Sequence, residues 1–206
     1  MLNKETTFKK ETVLDWMEGV RTDQDMINAF WPSQLNSKIW LTQWVKSYLP
    51  GARKVIIFGC WYGVLADILK EKLPELEIIC VDKDPVPLQW TKRKYESHVV
   101  KMEDYTYYYP VSLVINTSTE HMTQEAYDKW YENIPSNTYF VIQGNNDFAE
   151  KDHIRSCESL DKFNEINHVK NCLHTDEISY EGPWNKIDNE PTYYKRFMSI
   201  GFKDGR

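Results

Sequence analysis

Residues 54–64, KVIIFGCWYGV, decide the fold. The run from Lys54 to Phe58 is apolar and rich in β-branched residues, which is typical of a strand buried on both faces. Gly59 and Gly63 bracket the loop that follows, and apolar residues with helical spacing come next. A strand, a glycine-bearing turn and a helix in this order predict the start of a βαβ unit.

Short apolar strands and helices continue to alternate along the chain. We expect further strands at residues 77–81, 98–102, 111–116, 138–143, 169–174 and 193–202, and helices at residues 85–96, 122–132 and 156–166. Such alternation is typical of a mostly parallel sheet. We therefore predict an α/β fold, a Rossmann-like, seven-stranded, mostly parallel sheet with helices on both faces.

Residues 1–50 differ from the rest and predict a helical N-terminal extension. Residues 41–48 place their apolar side chains on one helical face, which Pro50-Gly51 ends. Shorter helices are expected at residues 13–20 and 24–30, with Pro32 breaking the second. We expect one domain overall, with the extension at residues 1–50 packed on a main domain at residues 51–206.

The aromatic residues of the extension have two interpretations. These residues are Trp16, Phe30, Trp31, Trp40 and Trp44. A stripe of this kind usually packs helices on a sheet, and a lid over a ligand is the alternative. Trp31 is the residue that would lie in such a lid.

Composition excludes several classes of protein. The 206 residues carry a net charge of -6, so no extended nucleic-acid surface is indicated. The longest uncharged, mostly apolar run has 12 residues (55–66), whereas a membrane span needs ~20. Four cysteines do not form a disulfide scaffold, and the first residues lack a signal peptide's apolar stretch. We expect a cytoplasmic protein, of an oligomeric state that the sequence leaves open.

The glycine loop and an acid further along predict a nucleotide-like ligand. Gly59 and Gly63 let a ligand approach the main chain, although they serve a plain turn equally well. Asp82 ends the second predicted strand, 23 residues after Gly59, where a carboxylate accepts hydrogen bonds from ribose hydroxyls. The alternative for an acid here is a helix N-cap, a role that Asp84 fits better.

A second acid, Asp104, follows the third predicted strand. A carboxylate at this place can accept from an adenine amine, and a solvated loop acid is the alternative. The sequence contains neither G-x-x-x-x-G-K-[ST] nor G-x-G-x-x-G, which excludes a P-loop and a dinucleotide fingerprint.

These features, with the polar residues after the fourth strand, resemble class I S-adenosylmethionine-dependent methyltransferases over residues 54–146. The motifs FGCWYG, VDKDP, VINTSTEHM, VIQGNNDF and YYKRFMSIGF further resemble small methyltransferase-like proteins found largely in bacteriophage genomes. The resemblance implies a methyltransferase whose cofactor, S-adenosylmethionine, is bound by Gly59, Gly63, Asp82 and Asp104. It also implies that the last strand is antiparallel.

Two positions depart from the family pattern. The broad family usually has an acid where this chain has Ile57, and a glycine where it has Trp61. We expect the Trp61 ring to cap the bound cofactor. The alternatives are a ring that blocks a dead site and a ring that packs in the core.

The resemblance places the polar cluster of residues 115–122 near the transferred methyl group. Asn116 is expected to meet the cofactor or the substrate, and Glu120 and His121 to orient the substrate or take its proton. The alternative is a polar loop in which Ser118 or Thr119 caps the next helix.

Two amides at the end of the fifth strand, Asn145 and Asn146, are expected to hold a polar substrate; turn formation is the alternative. No metal is expected, because His153, Cys157, His168, Cys172 and His174 match no common zinc spacing.

The sequence thus predicts a methyltransferase that acts on an unidentified acceptor. The rival hypothesis is a non-catalytic binding module or a virion-associated protein that has kept the fold.

Overall fold

The computed structural model describes residues 7–184 and 191–204. Its strands are β1 (Lys54–Phe58), β2 (Glu77–Asp82), β3 (Glu96–Val99), β4 (Leu113–Asn116), β5 (Thr138–Asn145), β6 (Cys172–Trp184) and β7 (Pro191–Lys203). They form a seven-stranded sheet in the order β3-β2-β1-β4-β5-β7-β6. β1, β2 and β3 pair in parallel, as do β4 and β5, whereas β7 is antiparallel to β5 and β6. The predicted fold and its antiparallel last strand are confirmed.

The helices fall between the strands and ahead of β1. The α-helices are α1 (Lys10–Thr22), α2 (Pro32–Tyr48), α3 (Val64–Lys72), α4 (Pro85–Thr91), α5 (Gln124–Asn133) and α6 (Leu160–Ile166). Short 3-10 helices cover Gln24–Phe30, Met102–Asp104 and Thr119–His121. The chain folds as two compact units, Met1–Met102 and Glu103–Arg206. The predicted division at residue 50 lies inside the first unit and stays a prediction.

In the first unit, β1 forms the centre of the core. Val55, Ile56, Ile57 and Phe58 are all buried, as expected for a parallel strand covered on both faces. Each of them pairs with a residue of β2 in parallel register.

The N-terminal helices of the first unit pack on α3 and α4 through one apolar cluster. Its buried members are Trp16, Met26, Ala29, Ile39, Tyr62, Val64, Ile68 and Trp90. The predicted packing of the aromatic residues is therefore confirmed for Trp16, and Phe30 packs against the same cluster. Trp31, by contrast, is exposed.

A buried carboxylate fixes α1 against α3. Asp67 accepts hydrogen bonds from Trp16 Nε1 (2.8 Å), Lys94 Nζ (2.9 Å) and Tyr95 Oη (2.8 Å). Burial opposes the charge of Lys94, but Asp67 and Asp15 raise its pKa. Burial and the charge of Asp67 together raise the pKa of Tyr95. The carboxylate therefore has donors on both of its oxygens.

Two helix boundaries in the first unit differ from the predictions. Pro32 begins α2 rather than only ending the preceding helix, because its fixed φ suits the first helical turn. The helix predicted at residues 85–96 ends at Thr91, whose carbonyl accepts from the amides of Lys94 and Tyr95 in a closing turn. β3 consequently starts at Glu96, two residues before the predicted strand.

Side-chain hydrogen bonds set the corresponding boundaries in the second unit. α6 begins after Ser159, which accepts from the Lys162 amide, and not at the predicted Ser156. The Ser156 hydroxyl is held outside the helix by Asn145 Oδ1 and the Asp147 carbonyl. The helix expected from residue 122 starts at Gln124, and β6 starts at Cys172 rather than at residue 169.

Among the described residues, the helices are too short or too polar to cross a membrane.

The turn between β1 and α3 requires glycine at position 63. A Cβ at Gly63 would lie 2.5 Å from Thr91 Cγ2, and φ is +75°. We expect Gly63→Ala to lower the free energy of unfolding by about 2–4 kcal/mol, since overpacking and left-handed strain add. Adding Thr91→Ser, which keeps the hydroxyl, should recover part of that loss. Urea denaturation measures both effects.

Gly51→Ala is the matched control, because nothing lies within 4 Å of a Cβ built there. Gly51→Ala should change the free energy of unfolding by no more than ~0.5 kcal/mol. An equal cost for Gly51→Ala and Gly63→Ala, or no recovery with Thr91→Ser, would contradict this account of the turn.

Candidate functional site

The loop between β1 and α3 is left-handed at three positions. Gly59, Trp61 and Gly63 have φ values of 65°, 49° and 75°. Glycine adopts this conformation freely, whereas tryptophan does so at a cost of roughly 1–2 kcal/mol. Trp61 therefore keeps the backbone shape that a glycine would give, at the position where the family pattern has one.

Asp82 joins this loop to the one that follows β2. Its Oδ2 accepts from the Trp61 amide (2.8 Å), and its Oδ1 accepts from the Asp84 amide (3.0 Å). Each carboxylate oxygen has capacity for a second hydrogen bond. Asp82 is only partly buried, so both oxygens are suited to accept from the hydroxyls of a ligand.

Asp84 has the other role that the sequence predicted for an acid here. Its Oδ1 accepts from the Val86 amide (2.9 Å) and caps α4. The two neighbouring acids thus have different roles: Asp84 caps the N-terminus of α4, and Asp82 organises the loops at the carboxyl ends of β1 and β2.

The aromatic rings of the loop pack towards the N-terminal helices of the same unit. Trp61 is partly buried and packs against the cluster that contains Trp16 and Trp90. The Trp61 and Tyr62 ring centroids lie 5.1 Å apart. Tyr62 is buried, and its hydroxyl donates to Asp23 Oδ2 (3.0 Å); burial and this hydrogen bond raise its pKa. Trp61 thus has a packing role, and its predicted contact with a cofactor stays a prediction.

Two neighbours of the loop are plain core residues. Ile57, which replaces the usual acid, is fully buried in β1. Cys60 is buried as well, and burial together with the nearby Cys80 raises the pKa of its thiol. Neither side chain is therefore set up to bind a polar ligand.

In the second unit, Asn116 ends β4 and shapes the turn that follows. The residue is fully buried, its Oδ1 accepts from the Ser118 amide (3.0 Å), and its Nδ2 lies 3.4 Å from Met122 Sδ. The alternative role predicted for Ser118 or Thr119 is wrong, because Thr123 caps α5. Thr119 instead donates to the Gln143 carbonyl (2.6 Å).

Glu120 is a buried carboxylate, and one of its two oxygens has no hydrogen-bond partner. Glu120 is 2% exposed, and its Oε1 accepts from Asn145 Nδ2 (2.8 Å). Arg196 Nη1 lies 3.8 Å from the same oxygen. Glu120 Oε2 is buried without a hydrogen-bond partner. An unpartnered buried acceptor is costly, so this atom is the strongest sign of function in the second unit.

Asn145 and Asn146 are engaged by the protein itself. Asn145 is buried; it donates to Glu120 and accepts at Oδ1 from the Asp147 amide and the Ser156 hydroxyl. Asn146 Oδ1 accepts from the Lys195 amide (2.6 Å). The structure thus brings Asn145 to Glu120 and uses Asn146 to hold β7.

His121 lies beside His153, a residue that the sequence spacing placed in a different candidate set. The ring centroids of His121 and His153 are 4.9 Å apart, and Glu120, His121 and His153 come together in the fold. The set with three histidines and two cysteines does not assemble among the described residues: His168 pairs with Asp128 instead. Arg196 was also missed, although an arginine ahead of the buried run of β7 signals a buried acid.

Asp104 lies on the 3-10 helix after β3, where it is exposed. Its Oδ1 accepts from Lys129 Nζ (2.6 Å), and this hydrogen bond raises the pKa of Lys129. The ion pair matches the solvated alternative for this acid, and its predicted cofactor contact stays a prediction.

No protein-family model matches this sequence, and the search of the curated proteins finds no match to it. Its fold is similar to those of solved structures, several of them methyltransferases. TehB from Haemophilus influenzae matches with a TM-score of 0.60 at 12% identity, over 85% of this chain and 66% of TehB. The plantazolicin methyltransferase BpumL in complex with SAH matches with a TM-score of 0.55 at 8% identity, over 92% of this chain and 94% of BpumL. The N-methyltransferase NodS from Bradyrhizobium japonicum matches with a TM-score of 0.54 at 14% identity, over 81% of this chain and 94% of NodS.

Replacing Trp61 tests its packing role. Trp61→Gly removes the ring from the apolar cluster but relieves the left-handed backbone, so we expect a net loss of about 1–3 kcal/mol in stability. Trp61→Phe keeps an aromatic ring and should cost less. Urea denaturation of both variants gives the values, and a Trp61→Gly variant as stable as the wild type would refute the packing role.

Replacing Asn145 tests the support of Glu120. Asn145→Ala leaves a buried carboxylate without its amide donor and should cost about 3–5 kcal/mol in unfolding free energy. Asn146→Ala, the matched control, loses a single hydrogen bond to backbone and should cost about 1 kcal/mol. Thermal and urea unfolding compare the two, and equal costs would show that Glu120 does not depend on Asn145.

Proposed function

We propose that this protein binds S-adenosylmethionine and transfers its methyl group to an acceptor. The observation that carries the proposal is Asp82. Its carboxylate lies at the end of β2, is held by the Trp61 and Asp84 amides, and keeps acceptor capacity on both oxygens. The strand order and the likeness to solved methyltransferase structures support the same interpretation.

The residues of the first unit fit the adenosine part of this cofactor. Asp82 would accept from the ribose hydroxyls, and the left-handed loop of Gly59 and Gly63 would let a ligand approach the main chain. Ile57 offers nothing to the methionine part, so polar contacts for that end must come from other residues. Asp104 belongs to the second unit, where it is paired with Lys129, and its contact with the adenine amine stays a prediction from the sequence.

The cofactor supplies an activated methyl group on a sulfonium, so the protein needs mainly to position the acceptor and to remove its proton. Glu120 is suited to the second task, because Oε2 is an unpartnered acceptor held in place through Oε1 by Asn145. His121 is exposed, and one of its ring nitrogens lies within 4.8 Å of a carboxylate oxygen of Glu120. Asn145 supports Glu120 through its amide, and the substrate contacts expected of Asn116, Asn145 and Asn146 stay predictions.

The rival function, a non-catalytic module, would have the ligand site filled by Trp61 or Tyr62. The contact of Tyr62 with Asp23 and its burial among the N-terminal helices favour the enzyme. The sequence identifies no acceptor, and the relationship to phage proteins and a cytoplasmic location stay predictions from the sequence.

Calorimetry with S-adenosylmethionine and S-adenosylhomocysteine tests the cofactor. Asp82→Ala should weaken binding by ~1.5–3 kcal/mol, since charge-assisted hydrogen bonds are lost. Asp84→Ala is the matched control: it removes the cap of α4, so it should lower the melting temperature and leave affinity nearly unchanged. Equal losses of affinity with both folds intact, or no binding by the wild type, would contradict the proposal.

The same titration on Trp61→Gly separates the two functions. Weaker binding than the wild type agrees with a ring that covers the cofactor, whereas tighter binding indicates a blocked site and a non-catalytic protein. A methyl-transfer screen over small molecules, RNA, DNA and protein then identifies the acceptor.

A further inference from the structure

We propose that Glu120, His121 and His153 bind a divalent transition-metal ion of the zinc type. One potential ligand atom from each residue lies within 4.8 Å of the others. A tetrahedral zinc ion about 2.1 Å from its ligands places them roughly 3.4 Å apart. Side-chain movement would have to close that difference, and the exposure of His121 and the partial burial of His153 leave room for it.

The hydrogen bonds of both histidines prepare them as ligands. His121 Nδ1 lies 3.0 Å from the Asp152 carbonyl, and His153 Nδ1 lies 3.1 Å from the Asp147 carbonyl. A carbonyl only accepts, so the proton of each neutral ring resides on Nδ1. The lone pair is then on Nε2 in both rings. Metal-binding histidines have this arrangement, with the second nitrogen donating to a carbonyl or a carboxylate.

Glu120 supplies the observation that is independent of the histidines. The residue is 2% exposed, and its Oε2 has no hydrogen-bond partner. Oε1 is occupied by Asn145 Nδ2 and lies 3.8 Å from Arg196 Nη1. The carboxylate is therefore fixed through one oxygen, and the other is left for a ligand. A metal ion would satisfy an atom that otherwise stays buried at a cost.

The loop that carries His153 is held at both ends by one residue. Asn145 Oδ1 accepts from the Asp147 amide and the Ser156 hydroxyl, and the Asn145 carbonyl accepts from the Cys157 amide. Because Asn145 also binds Glu120, a single buried side chain positions the carboxylate and the histidine loop together. Preorganisation of this kind lowers the entropic cost of binding an ion.

The donor set selects the class of metal. Two imidazole nitrogens and one carboxylate suit zinc, cobalt, nickel or iron(II), whereas magnesium and calcium prefer oxygen ligands alone. Three protein ligands leave at least one coordination position open to water or to an oxygen of another molecule, as in catalytic rather than structural zinc sites. The site would thus be capable of binding an additional ligand, and with the ion bound Glu120 would act as a metal ligand in place of the proton acceptor proposed above.

Zinc binding to the full chain, measured by calorimetry without S-adenosylmethionine, tests the proposal. We expect one equivalent, with at least a tenfold loss of affinity in each of His121→Ala, His153→Ala and Glu120→Gln. His98→Ala is the matched control, because His98 also lies 2.8 Å from a glutamate, Glu96, in the first unit. Cys172→Ser is the second control, since this thiol is exposed. Neither control should change the affinity.

Two further readouts keep the test decisive. Cobalt(II) should give the visible absorption of a site with nitrogen ligands in the wild type and lose it in His153→Ala. In the protein without metal, long-range proton–nitrogen spectra should show His121 and His153 protonated on Nδ1. The proposal is wrong if the wild type binds no zinc, or if the controls lose as much affinity as the ligand variants. Since no cofactor is added, these outcomes are independent of methyl transfer.

Discussion

Burying a carboxylate is costly unless its oxygens have hydrogen-bond donors, and this constraint shapes both units of the protein. In the first unit, Asp67 satisfies it with donors from Trp16, Lys94 and Tyr95. One charge thereby joins α1, α3 and the turn before β3. In the second unit, Glu120 has a hydrogen-bond donor at Oε1, whereas its Oε2 has no partner. The Asp67 carboxylate, with donors on both oxygens, stabilises the fold. The Glu120 carboxylate, with a donor on one oxygen only, indicates a ligand.

Hydrophobic periodicity predicted the central strands well, because burial on both faces leaves a continuous apolar run, whereas the edge strands β3 and β6 overlap their predicted ranges by only two and three residues. β1 lies at the predicted residues 54–58, and β2 extends one residue past the prediction. Helix ends were predicted less well, since side-chain hydrogen bonds decide them. Ser156 fits a helix start by its residue type, yet its hydroxyl is bound to Asn145.

The site was partly predictable for a related reason. The carboxyl ends of parallel strands collect polar residues, and this rule drew attention to Asp82, Glu120 and Asn145, whose functional roles stay predictions. Asp84 was also correctly predicted as a helix cap. The proximity of His121 to His153 was not predictable, because it depends on how the loop after β5 is tied to Asn145. The direction of the Trp61 ring likewise follows from packing with the N-terminal helices, which no local motif encodes.

The bonds around Asp67 join parts of the chain that are distant in sequence. Trp16 lies 51 residues before Asp67, and Asp15 lies 79 residues before Lys94. Closing such loops loses chain entropy before any contact is gained, and this slows folding. During synthesis, α1 therefore leaves the ribosome before Asp67, Trp90 and Lys94 have been made. Met26, Ala29 and Ile39 can cover part of its apolar face earlier, but that face stays incompletely covered until the chain has reached residue 94.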